Sequence, residues 1–572
     1  MKHMKTIILL LAALAAINVS AQRMINTEIV GRPTDRSITI QAFFDADVDV
    51  RIDYGTSPEE LTKRTPVMSF TAGEPAELVI QGLEQNTRYF YSYAYAAKGS
   101  DAFTSQQVHS FVTARPKGVP FTFTIQADPH MDEQSDSLVY QNCLKNQLAD
   151  QPDFMMDLGD ILMSDKMQTA NKQIPRDTVT YRARYMRAFY EKTCHSVPLF
   201  IALGNHEGET GWLNNGNGNN VAVWGTLDRK KYFLNPEPNE FYTGDTTNHP
   251  FVGIRESYHR FEWGDALFIV LDPYWYTRPK PDSLNGWRWT LGKDQYDWLK
   301  RTLEQSNATF KFIFAHQLVG GDPLGRGGVE FADRYEWGGK NLDGSEGFAQ
   351  QRPGWYKPIK DLLKEHRVNV FFHGHDHFFA KQEKDCLIYQ ETPQPSHSNF
   401  SGTGTAAKYG YLEGLILPNS GHFRVSVTPE SFKVEYIRAY NPKNETATRK
   451  NGDISATYVV NTKNCYDSIS TSVPVLWNTD YIDEHVAPNP MRDQTSIRFT
   501  LPQADVISIQ LFDAQGNNVR NVLRETAIDA GSYTVIWDGM QDNGLDCPSG
   551  SYTYKITSRH SAPSSGTIVR SK

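Results

Sequence analysis

No two of the five cysteines stand in Cys-x-x-Cys spacing: Cys143, Cys194, Cys386, Cys465 and Cys547 are scattered over 572 residues. That excludes a small disulfide scaffold and a thiolate metal cluster. An odd count leaves at least one thiol unpaired in the monomer, and spacing alone does not say which residues pair. Nor is there a long basic run, since 58 Lys and Arg face 66 Asp and Glu. A binder of nucleic-acid backbones or of membrane surfaces needs a clustered positive field, so neither class is expected. Beyond the N-terminal end no stretch is apolar enough to span a bilayer, and the mature chain is expected to have no transmembrane segment.

What is present points to several β-rich domains. The chain is too long for one compact core, so three or four domains are expected. Aromatic residues make up 12%, with 28 Tyr and 11 Trp, which suits strands and exposed binding surfaces. Lys2, His3 and Lys5 precede an apolar stretch over 6–17, and Val19-Ser20-Ala21 offers small residues for cleavage. This order predicts a signal peptide at 1–21.

Short runs at 37–43, 48–54, 76–80 and 88–95 alternate apolar and polar residues between turns, which predicts a β-sandwich over 23–115. Within it, 83–91 resembles the tyrosine-corner strand of a fibronectin type III domain. The segment 115–120 reads as a linker. Over 119–440, apolar strands near 121–125, 198–203, 266–271, 310–315 and 368–372 alternate with helix-like stretches at 179–191, 293–305 and 357–366. That alternation predicts an α/β layered domain. Residues 441–484 are polar and turn-rich, either a linker or a short extra strand pair. Residues 485–572 return to short strands. They resemble the C-terminal sorting domains of type IX secretion cargo and the related immunoglobulin-like module of flagellar hook-capping proteins.

Five motifs fall in order through the middle domain, four of them just after an apolar strand: Asp128-Pro129-His130, Gly159-Asp160, Gly204-Asn205-His206-Glu207, His316 and Gly374-His375-Asp376-His377. Loops at strand ends of an α/β sheet converge, so residues distant in sequence can meet at one edge. Carboxylate, amide oxygen and neutral imidazole together suit borderline divalent metals such as Zn, Mn and Fe. A carboxylate such as that of Asp160 can sit between two cations.

The set resembles the calcineurin-like metallophosphoesterase family over roughly 320 residues. The resemblance implies a four-layer fold, a β-sandwich flanked by helices. It implies two metal ions, divalent or mixed-valence, the first held by Asp128, His130, Asp160 and His377. The second would take Asp160, Asn205, His316 and His375. His206 would stabilise the phosphate or protonate the leaving group, and a metal-bound hydroxide would attack phosphorus directly. An N-terminal sandwich also precedes the catalytic domain of plant-type purple acid phosphatases. There the Gly-Asp motif continues to a tyrosine that ligates ferric iron, but here Met163 takes that place. Protein Ser/Thr phosphatases have at that position an aspartate that orients the catalytic histidine. Its absence leaves the partner of His206 open, with Asp165 and Glu207 as candidates by proximity.

Arg326, in the glycine-rich loop 320–328, is a candidate anion clamp on substrate, against the alternative of a flexible surface loop. The loop 211–220 can shape the pocket mouth or be an exposed insertion. Tyr335 and Trp337 can line a specificity pocket or pack the core, and His373 can support the metals or be a core histidine. The expected function is hydrolysis of small phosphate monoesters by an exported protein, secreted or at the cell surface, that crosses the periplasm and engages the type IX machinery. The rivals are a phosphodiesterase acting on nucleotides or glycerophosphodiesters, and a non-catalytic adhesion protein that retains a metal site.

Overall fold

The computed structural model describes residues 23–571 apart from 283–284, 323, 448, 463–465, 467–482, 502–504, 529–530 and 559–563. The expected signal peptide at 1–21 lies outside the described residues, among which no helix is long and apolar enough to cross a membrane. The N-terminal unit is a sandwich. One sheet joins Met24–Gly31, Ser37–Phe44 and Ala76–Gln81, and the other is built on Val48–Gly55 and Arg88–Ala97. Between them lies a core that includes Ile38, Ile52, Tyr91 and Phe111. The hydroxyl of Tyr89 accepts the Glu84 N–H at 2.9 Å, which closes the tyrosine corner.

The central domain holds two sheets face to face. Strands Phe121–Gln126, Phe154–Asp157 and Leu199–Ile201 run parallel in a six-stranded sheet. Ala266–Val270, Phe310–Phe314, Val370–His373 and Leu387–Glu391 run parallel in an eight-stranded one. Alternate residues of these strands turn toward each other. Phe123, Phe154, Phe268, Phe312 and Phe372 share one core, and the Phe154 and Phe268 rings meet at 5.2 Å. The other face of each strand is also covered, which is why the strands read as continuous apolar runs. Tyr140, Leu144, Ala183 and Met186 cover one sheet from helices Ser137–Ala149 and Arg176–Cys194. Tyr296, Leu299 and Leu303 of helix Lys293–Gln305, with Leu362 and Leu363 of Ile359–Glu365, cover the other. Asp136 starts the first helix by accepting the N–H groups of Leu138 and Val139.

The boundary expected at residue 440 falls too early. Strand Ile454–Asn461 pairs antiparallel with Ser431–Arg438 and forms the edge of the six-stranded sheet, with Ala456 and Tyr458 in the inter-sheet core. The central domain therefore reaches at least Asn461, and of the two alternatives for 441–484 the extra strand holds over Ile454–Asn461. The C-terminal unit is a second sandwich, with sheets of three and four strands around Met491, Ile509, Trp537 and Ile556. Cys386 is disulfide-bonded, whereas Cys143, Cys194 and Cys547 are free and buried.

Candidate metal centre

Every sequence-predicted donor stands on a loop that leaves the C-terminal end of a parallel strand, and the two sheets present these ends at a common edge. The turns are unusual. Asp128, His130, Asp160, His375 and His377 all have positive φ, between 47° and 79°. For non-glycine residues such conformations cost about 1–3 kcal/mol each and persist only where surrounding contacts over-determine them.

Those contacts are visible. Asp128 Oδ2 accepts the His375 N–H at 2.9 Å, and Asp160 Oδ1 accepts the His206 N–H at 2.8 Å. Each carboxylate thus uses one oxygen to tie its own turn to a neighbouring one and turns the other toward the imidazoles. Glu207, fully buried, takes the N–H groups of Asp160 at 3.0 Å, Ile161 at 2.6 Å and Leu162 at 3.1 Å, and also that of Gly204. It therefore clamps the Asp160 turn to the Asn205 turn and is not the partner of His206. Gly159 and Gly204 make this possible, since a Cβ on Gly159 would meet Gly204 N at 2.3 Å.

Two donor groups result, Asp128 with His130 and His377, and Asp160 with His316 and His375. Asp128 Oδ1 lies 3.3 Å from His377 Nε2 and 3.6 Å from His130 Nε2. Asp160 Oδ2 lies 3.2 Å from His316 Nε2 and 3.5 Å from His130 Nε2, so it faces both groups. His375 Nδ1 is 3.2 Å from His316 Nε2. Donors about 2.1 Å from a shared ion stand roughly 3.0–3.6 Å apart, so the spacing fits a metal. The side-chain oxygen of Asn205, Asp128 Oδ1 and His130 Nε2 are buried without a hydrogen-bond partner. Such atoms are costly unless something pairs with them, and an ion would.

The rings are oriented from behind. His316 Nδ1 donates to the Leu158 carbonyl at 2.7 Å and His130 Nδ1 faces Asp132 at 3.4 Å. His375 Nε2 faces the Leu324 carbonyl at 3.2 Å, which leaves Nδ1 as its ligating atom. Burial alone would hold His316 neutral, yet Asp160 and Asp128 push its pKa up to about 9. The same negative field attracts cations. Burial also opposes ionisation of Asp128, but His316 and His377 outweigh it and hold that carboxyl well below the usual range.

His206 sits beside the donors, with Nε2 4.0 Å from Asp160 Oδ2 and Nδ1 2.8 Å from Asp165 Oδ1. Asp165 belongs to a short turn, Ser164–Lys166, entered through Met163 at φ 51°. The His206 side chain is 17% exposed and that of His377 28%, against 0% for His316, so the centre opens over His206 and His377.

Arg326 is already engaged: Nη1 donates to the His375 carbonyl and to Asp376, both at 2.9 Å, and its guanidinium lies 4.2 Å from the Tyr409 ring centroid. It braces the His375–His377 turn. Trp337 and Tyr335 pack the interior, Trp337 against Phe371 and Tyr335 against Trp287. His373 is buried, with Nδ1 2.7 Å from Glu391 Oε2. In the loop 211–220, Asn220 caps helix Val221–Tyr232 and Trp212 packs on Tyr274 and Trp289.

Residues 121–379 match the sequence profile of calcineurin-like phosphoesterases, and residues 491–562 match that of the FlgD Ig-like domain. No curated protein sequence matches the chain. Among solved structures, that of PhoD is 16% identical with a TM-score of 0.55, covering 78% of this chain and 92% of its own. The purple acid phosphatase PPD1 from yellow lupin (Lupinus luteus) seeds is 13% identical with a TM-score of 0.52, covering 78% of this chain and 76% of its own. At these identities the likeness is one of fold.

Proposed function

The central domain is a calcineurin-like metallophosphoesterase domain, and from that premise we propose that the chain is a metal-dependent hydrolase of phosphate monoesters. The observation that carries the reading is the His206–Asp165 pair, partly open to solvent beside the metal donors. A metal site kept only for stability would need no such neighbour. Asp128, His130, Asp160 and His377 would hold one ion, and Asp160, Asn205, His316 and His375 the other, as Zn, Mn or Fe. Bound there, the ions supply Lewis acidity to phosphoryl oxygens and a nucleophile drawn from water.

The chain's own residues do the rest. Asp165 accepts from Nδ1 of His206 and fixes the ring with Nε2 on the side of Asp160. The proton on Nε2 is then available to the oxygen of the departing alcohol. The buried turns hold Asp160 and Asn205 in register, so little reorganisation is needed when substrate arrives.

The N-terminal segment 1–21 and the C-terminal Ig-like domain support a further part of the proposal, that the protein is exported through the periplasm to the cell surface or medium by the type IX route. The reaction reading is tested with p-nitrophenyl phosphate against bis(p-nitrophenyl) phosphate. Preferential cleavage of the monoester is expected, and cleavage of the diester alone would replace the phosphatase reading with a phosphodiesterase.

A further inference from the structure

Three residues beyond His206, Glu209 enters a set of charges that no step of the proposed reaction uses. Glu209, Arg229, Arg255 and Asp272 are each 1% exposed. Glu209 Oε1 accepts Arg229 Nε at 2.6 Å. Its Oε2 accepts Arg229 Nη2 and Arg255 Nη2, both at 3.1 Å, and the Thr226 hydroxyl at 2.8 Å. Arg255 Nη1 in turn donates to Asp272 Oδ2 at 2.6 Å. Burial opposes ionisation of Glu209, but Arg229 and then Arg255 outweigh it and hold its carboxyl below the usual range. Two carboxylates thus balance two guanidiniums inside the domain. Replacing a buried ion set by apolar side chains of similar volume is often neutral or stabilising, so stability alone does not account for these four.

The network leads back to the loop of His206. Asp272 Oδ1 accepts the Tyr274 N–H at 2.9 Å, and the Tyr274 carbonyl accepts the Gly211 N–H at 3.0 Å. The loop is therefore anchored at Glu209 and again at Gly211. Glu207 holds the other side, through N–H groups of 160–162 and 204, all of which precede His206. Between these supports the His206 carbonyl accepts the Ser164 N–H at 2.7 Å, in the turn that carries Asp165. Helix Val221–Tyr232, which supplies Thr226 and Arg229, packs close on the same segment: a Cβ on Gly225 would meet Glu207 O at 2.8 Å.

We propose that Glu209 is a positioning residue, whose ion network fixes the chain just after His206 and so aims the Nε2 proton at the departing alcohol. The role rests on the phosphoesterase reading of His206. A basic alkoxide depends on that proton far more than a nitrophenolate does, so the role is read in the leaving group.

The test compares glycerol 2-phosphate with p-nitrophenyl phosphate as substrates of the metal-loaded full chain. Glu209→Gln should lower kcat about ten-fold or more for glycerol 2-phosphate and less than about three-fold for p-nitrophenyl phosphate. KM for both esters and the metal content should stay at wild-type values. In a His206→Ala background the same change should cost nothing further. Arg255→Lys keeps the charge but loses the fork that joins Glu209 to Asp272. It should show the same selectivity, and it decides the question if Glu209→Gln does not fold. Losses that are equal on the two esters or absent, a full loss in the His206→Ala background, or lost metal would overturn the role. A wild type that hydrolyses neither ester would overturn the phosphatase reading, and this role with it.

Discussion

Buried carboxylates and imidazoles with unpaired atoms are expensive to fold around, and the residues behind the donors show how that cost is contained. Glu207 fixes two turns through backbone N–H groups, and Asp165 fixes one ring. His206→Ala is expected to lower kcat by about 10²–10⁴ with folding intact, and Asp165→Asn to lower it less while leaving KM nearly unchanged. A normal kcat in both variants would remove His206 from the reaction. A pH effect follows from Asp157, whose carboxyl burial pushes up to about 7 against hydrogen bonds from Tyr190, Gln126 and Gly159. Between about pH 4 and 7 the folded state then binds more protons at this group than the unfolded state, so its contribution falls as pH rises. Asp157→Asn lacks that dependence. Its melting temperature relative to wild type should rise from pH 5 to pH 8, as differential scanning calorimetry at both values would read. The donors were legible in the sequence because each motif is contiguous and follows an apolar strand. Asp165 and Glu207 were named only as alternative partners of His206; that Asp165 is the partner and Glu207 a clamp depends on a left-handed turn at Met163 and on main-chain groups more than forty residues away.

At the scale of elements, the sequence pattern identified five of the parallel strands and three of the covering helices, but not helix Ser137–Ala149 or strand Leu387–Glu391. Helix Lys293–Gln305 falls where the periodicity put it, because Tyr296, Leu299 and Leu303 mark one buried face. Strand Ile454–Asn461 was expected only as one of two alternatives for 441–484, the other being a linker. Its inward residues are few, Ala456 and Tyr458, and the polar stretch before it reads as an ending. The consequence is a sharp difference between two truncations. A chain ended at residue 484 should stay soluble and hydrolyse p-nitrophenyl phosphate at the full-length rate. One ended at residue 440 uncovers the edge of Ser431–Arg438 and part of the inter-sheet core, and should aggregate or melt well below the longer form. Equal melting curves for the two would show that the strand is dispensable.

For the whole molecule, two β-sandwiches flank a four-layer core; alternation and turn spacing made the N-terminal sandwich and the α/β layering readable, and the family resemblance implied the four layers. The seam between the first two units was not readable. It rests on Arg187, mid-helix in Arg176–Cys194, which is buried and donates to the carbonyls of Thr27, Gln41 and Tyr232. A helical arginine reads as surface until the fold supplies its partners. This seam docks the N-terminal sandwich on the side of helix Arg176–Cys194, and the donor cluster remains within the central domain. Its chemistry is therefore expected to require bound metal and not the N-terminal sandwich. The most direct measurement is p-nitrophenyl phosphate hydrolysis by chelator-stripped protein as Zn, Mn or Fe is returned stepwise. Activity should vanish on stripping and be restored with saturation near two metal ions per chain. Hydrolysis that survives complete removal of metal, or two ions bound with no hydrolysis, would contradict the account.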